Sequence, residues 1–145
     1  TGTSKAFRVM LAQTEMGSIS VGAGGTAFNT SSDYRRKENV VELTGAITRL
    51  KTLLPKRFNF IDEPSVTRDG FLAHEVTTVP EAVTGAKDAV ATENDVATNK
   101  SANVGDPIYQ LLDQSKLVPL LTAALQEAVT KIETLETKVA ALEGG

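Results

Sequence analysis

Eight apolar residues near the C-terminus recur with a spacing of seven. Val118, Leu125, Ile132 and Val139 form one series, and Leu121, Ala128, Leu135 and Leu142 the other. Steps alternating between three and four are the a/d seam of a coiled coil. The pattern predicts a helix that starts between 114 and 119 and runs to about 143. Pro119 fits only in its first turn, where a missing N–H costs little. Lys131 and Lys138 at g positions match Glu136 and Glu143 at the following e positions, as a parallel pairing requires. Each exposed pair contributes only about 0.3–0.5 kcal/mol, so the pairs select orientation more than they stabilise. A helix lying on its own domain usually buries a wider stripe, so the narrow seam favours self-association. Strand number stays open: β-branched residues at a with leucine at d favour dimers, but Leu125 and Ala128 break that rule.

Composition removes several function classes. The chain of 145 residues has no cysteine, which excludes disulfides, thiolate metal sites and a cysteine nucleophile. Its single histidine, His74, excludes a His-rich metal site. No apolar run approaches the roughly 18 residues that span a bilayer. The sequence begins at Thr1 without methionine or a leader pattern, and reads as a piece of something longer. Charge is unevenly spread: residues 1–31 carry +1, residues 32–60 carry +4 and residues 61–145 carry −8. Only Tyr34 sits in the Arg35-Arg36-Lys37 cluster, where nucleic-acid binding needs stacking aromatics along a basic face.

Residues 1–31 are rich in Gly, Ser and Thr. Ile19 and Val21 alternate with small residues, which predicts a strand. Gly24-Gly25 predicts a turn, and Phe7–Leu11 and Thr26–Phe28 predict flanking strands. This stretch is too poor in apolar residues to form a core alone, so it reads as the tail of an upstream β structure or one that needs partner chains. Leu43, Ile47, Leu50 and Leu54 share a helical face, with Thr44 as its N-cap and Pro55 as its stop. Phe58–Ile61 and Gly70–Val76 read as two strands of a hairpin, joined by a long loop around Asp62–Ser65. Pro80 opens a short turn or helix through Val83. Residues 84–106 are small, polar and aperiodic and read as a mobile loop, with a short strand near Ala89–Ala91; Pro107–Leu112 reads as a last strand.

One segment carries candidate chemistry. A serine hydroxyl needs a base to take its proton, and Lys37 follows Ser32 by five residues. Serine–lysine pairs are a variant of the triad logic, in which the lysine must be neutral. Arg35 and Arg36 bring like charge, and Asp33 and Glu38 oppose it. In an extended strand the two side chains would lie on opposite faces, so their meeting requires a turn at 33–36. Spacing alone leaves the plainer reading open, with Ser32-Asp33 a turn or cap and Lys37 a solvated cation.

The run Ser32-Asp33-Tyr34-Arg35-Arg36-Lys37-Glu38-Asn39-Val40 resembles the opening signature of the intramolecular chaperone auto-processing domain that ends many phage tail fibres, tail spikes and endosialidases. Three further blocks resemble it in the same order. They are Leu54-Pro55 with Phe58-Asn59-Phe60, Gly70–Val76 followed by Pro80–Val83, and Tyr109–Ala128 leading into the last helix. The resemblance spans about residues 26–143. It implies a homotrimer that assists assembly of the upstream fibre domain of the same polypeptide and then cuts itself off. Ser32 would be the nucleophile and Lys37 its base, in a self-cleaving serine endopeptidase acting once on the Ser31–Ser32 bond. His74 and Glu75 would hold the fold or the trimer contact, with Asp33 in support; a catalytic His74 is the minority reading.

The expectation is therefore an α+β chain in three parts. Residues 1–31 end a β-rich stalk, residues 32–112 form the chaperone body, and residues 113–145 form a helix of a parallel trimeric coiled coil. No cofactor, metal, nucleic acid, membrane insertion or small-molecule ligand is expected. Assembly is expected in the bacterial host cytoplasm, with the mature fibre on the virion tail. The alternatives are a trimerisation module that does not cleave, and a receptor-binding fibre tip.

Overall fold

A computed structural model describes residues 4–144. The chain is mixed α+β, with small antiparallel sheets and a long C-terminal helix. Its contacts group it into two compact units, Thr1–Glu42 and Leu43–Gly145.

The first unit is a meander of three antiparallel strands, β1 (Ser4–Leu11), β2 (Thr14–Gly22) and β3 (Gly25–Thr30). Both connections are two-residue turns, Leu11 pairing with Thr14 and Gly22 with Gly25. Turns this tight use left-handed backbone: Ala12 takes positive φ in the first, and Gly25 does so where the chain leaves the second to begin β3. Gly17 lies tight against β3: a Cβ on it would stand 2.7 Å from the Asn29 carbonyl oxygen. The residues this sheet buries are Ser18 and Ser20, whose hydroxyls accept hydrogen bonds from the Asn29 amide. Its apolar side chains, Phe7, Val9, Leu11, Val21 and Phe28, are exposed.

In the second unit, α1 (Ala46–Leu50) is shorter than the apolar spacing predicts. Gly45, not Thr44, is its N-cap, at φ 67° and with no capping side chain of its own. Past Leu50 the chain tightens, as Thr52 and Leu53 donate to carbonyls three residues back. In such a 3₁₀ turn residue i+3 takes over the face of residue i. Leu53 is therefore buried where the period of 3.6 points to Leu54, which is half exposed.

The hairpin also differs from expectation. Strands β4 (Lys56–Phe60) and β5 (Glu63–Gly70) are joined by Ile61-Asp62 alone, Phe60 pairing with Glu63. The return strand thus lies before Gly70, and residues 73–75 form a 3₁₀ turn instead. The expectation failed at Pro64, which reads as a breaker. The register shifts between Asn59 and Phe60, so Pro64 falls in an irregular stretch of β5 with no paired residue opposite it, a place in a ribbon where proline is tolerated. Phe58 and Phe60 stack edge to face at 5.3 Å.

A 3₁₀ turn at Pro80–Ala82 leads into β6 (Val83–Thr84), which pairs with β7 (Leu111–Leu112). The segment between them is more structured than its polar composition suggests. It holds α2 (Glu93–Ala97), closed by a capping box in which Thr92 and Asp95 satisfy each other's backbone N–H. Ala91 is buried, and Val90 bridges Pro107. The Asp106 carboxylate gathers the Asn103 N–H and the Ser101 hydroxyl. The expected strand at 107–112 reduces to that bridge and to β7.

A 3₁₀ turn at Gln114–Leu117 opens α3 (Val118–Glu143), with Pro119 in its first turn. The core gathers Ala46, Leu53, Val76, Val79, Leu120 and Ala124 with their neighbours. α3 thus packs on α1 through its first three turns. No helix among the described residues is long and apolar enough to cross a membrane.

Candidate functional site

After β3 the chain passes Ser31 and Ser32 and enters a 3₁₀ turn at Tyr34–Arg36. Asp33 makes this turn. Its carboxylate caps it by accepting from the Arg35 N–H at 2.9 Å, and it also accepts from the Arg35 side chain at 2.9 and 2.6 Å. The two-point contact with Arg35, seconded by the backbone bond, holds the Asp33 carboxyl below the ordinary aspartate range. Arg36 and Lys37 N–H groups close the turn onto the Asp33 and Tyr34 carbonyls.

This turn sits where extended chain would have kept Ser32 and Lys37 apart. The Lys37 ammonium donates to Ser32 Oγ at 2.9 Å. Ser31 is fixed from the other side, since its N–H donates to the Met16 carbonyl on β2 at 2.9 Å. The Ser31–Ser32 peptide therefore lies between the edge of a sheet and a capped turn. In the sequence, Arg35 and Arg36 both count as like charge beside Lys37. They are spent differently: Arg35 neutralises Asp33, and Arg36 donates to Ser31 Oγ at 2.7 Å.

His74 and Glu75 belong to the second unit, on the 3₁₀ turn at Ala73–Glu75 and not on a strand. His74 is exposed. Glu75 Oε2 lies 3.4 Å from Lys56 Nζ, close enough for charge attraction but out of hydrogen-bonding geometry, so this buried oxygen has no hydrogen-bond partner among the described residues. The ion pair joins the 3₁₀ turn to β4. Glu127, which the sequence did not single out, caps α1 from α3. Its carboxylate accepts from Ala46 N–H at 2.7 Å and Ile47 N–H at 3.0 Å. Gly45 before a helix that has no capping side chain was the only sign of it.

Along α3 the seam positions Val118, Leu121, Leu125, Ile132, Leu135, Val139 and Leu142 are 47–82% exposed, and Ala128 is half-buried. The side chains that α3 turns inward are others, Leu117 just ahead of it, Leu120 and Ala124. The helix thus carries two apolar faces, one used by its own body and one left open.

Residues 32–84 match the Peptidase_S74 family, chaperone of endosialidase. The match opens at Ser32, the first residue after β3 and its Ser31 anchor. The chaperone-of-endosialidase family implies an intramolecular chaperone and auto-processing domain of phage tail proteins, with self-cleavage. No curated protein matches the chain.

Proposed function

We propose that this chain gathers as a homotrimer, helps three copies of its upstream β-rich fibre domain to assemble, and then releases itself by cutting the Ser31–Ser32 bond. The Ser32–Lys37 contact at 2.9 Å carries the reading. Two further observations support it. The seam of α3 is open, and the β meander exposes its apolar residues while burying serines, as expected of a sheet that shares its core with other copies. The parallel coiled coil would bring three upstream strands together, so that their pairing becomes nearly intramolecular. This offsets part of the closure entropy that slows long-range β pairing.

In the cut itself, Lys37 as the neutral amine takes the Ser32 hydroxyl proton. Oγ attacks the Ser31 carbonyl carbon. The C–N bond breaks, the Ser32 nitrogen receives the proton, and an ester joins Ser31 to Ser32 Oγ. Water then splits the ester, leaving a carboxylate on Ser31 and restoring the Ser32 hydroxyl. Once the helper is gone, the reverse route is closed and the stalk is held kinetically. Assembly would take place in the host cytoplasm, leaving the mature fibre on the virion tail.

A denaturing gel tests the reading. Wild-type protein is expected to give fragments 1–31 and 32–145, while Ser32→Ala and Lys37→Ala leave the full-length chain. Normal cutting by Lys37→Ala would remove the lysine from the mechanism. A wild-type chain that trimerises but stays whole would leave a chaperone without a protease.

A further inference from the structure

One contact at the junction has no part in the reaction just described. Arg36 Nη1 donates to Ser31 Oγ at 2.7 Å, and Nη2 reaches Met16 Sδ at 3.3 Å. Met16 is also the residue whose carbonyl receives the Ser31 N–H. Ser31 is thus held by its backbone to β2 and by its side chain to a guanidinium that rests on the same β2 residue. Arg36 directly precedes Lys37, so one short turn reaches both sides of the peptide bond, Lys37 to Ser32 Oγ and Arg36 to Ser31 Oγ.

From this we infer that Arg36 is a positioning residue for self-cleavage, and that its grip makes the hydroxyl of residue 31 a determinant of where the chain is cut. The inference rests on the proposed cleavage. Attack on a carbonyl carbon is sensitive to approach, and a misplacement of about 1 Å costs on the order of 100-fold in rate. An exposed hydrogen bond adds little stability, so its value here is orientation. A planar guanidinium reaches two acceptors at fixed angles; a lysine at the same place keeps the charge but not the fork.

The experiment follows disappearance of full-length chain on refolding from denaturant, by denaturing gel, for wild type, Arg36→Ala, Arg36→Lys, Ser31→Ala and the double variant Arg36→Ala/Ser31→Ala. Arg36 and Ser31 are exposed, and circular dichroism confirms that each variant refolds. Both alanine variants should cut about 10- to 100-fold more slowly. The double variant should be no slower than the slower single one, because both changes remove one contact. Arg36→Lys should stay slow, and the midpoint of the pH–rate profile should not move. Wild-type rates in Arg36→Ala, or losses that multiply in the double variant, would overturn the grip. So would recovery in Arg36→Lys with a displaced pH profile, which marks Arg36 as a charge acting on Lys37. If wild type itself is never cut, the cleavage reading falls and takes this inference with it; if wild type is cut and Arg36→Ala is cut equally fast, the inference falls alone.

Discussion

At the scale of single residues, the junction depends on small side chains in tight places. Gly17 pairs with Thr30, one residue before Ser31, and a methyl group there would strike the backbone of β3. Backbone cannot swing aside as a flexible side chain does, so Gly17→Ala should destabilise the meander by about 1–3 kcal/mol. It should also slow cutting by displacing Ser31. Thermal melts and the cleavage gel read the two effects, and a variant unchanged in both would show that β3 is free to shift. The meeting of Ser32 and Lys37 was only half visible in the sequence. The residue types and the need for a turn were legible. The turn itself was not, because it depends on Asp33 choosing Arg35 as its partner, and periodicity carries no record of such pairings. Arg36 was hidden for the same reason: two adjacent arginines look alike until their partners are known.

At the scale of elements, legibility followed length. The helix α3 announces itself through seven-residue spacing over many turns, and its Pro119 start is where the sequence places it. Short elements were misread where one residue changes the geometry: Pro64 tolerated in an edge strand, or a 3₁₀ turn exchanging Leu53 for Leu54. The contact of α1 with α3 gathers most of the core of the second unit. Leu120 is fully buried in it, so Leu120→Ala should cost about 2–5 kcal/mol in denaturant unfolding. Glu127 adds a pH dependence. Hydrogen bonds from the Ile47 and Ala46 N–H groups hold its carboxyl below the ordinary glutamate range in the folded state. A depressed folded-state value means stability that is fully present above the unfolded value, about 4.3, and is lost as pH falls through the folded one. Glu127→Gln should therefore melt lower than wild type at pH 7, with the gap closing in acid. A gap independent of pH would mean that the charge of Glu127 is not what caps α1.

At the scale of the whole molecule, the two faces of α3 would make the proposed assembly separable from folding. Residues Leu117, Leu120 and Ala124 serve the body, and Leu125, Ile132 and Val139 do not. Light scattering should give a trimer for wild type. Ile132→Glu should give a monomer that still shows the circular dichroism of a folded second unit. A wild-type monomer at micromolar concentration, or a trimer that survives Ile132→Glu, would remove the coiled coil from the proposal. The last residue of the meander has a consequence of its own. Its amide is already bonded to Met16, so the proposed scission after Ser31 would leave a carboxyl end flush with the sheet. Such a blunt terminus offers no slack peptide to an exopeptidase, and the shaft would resist trimming from the moment it is freed.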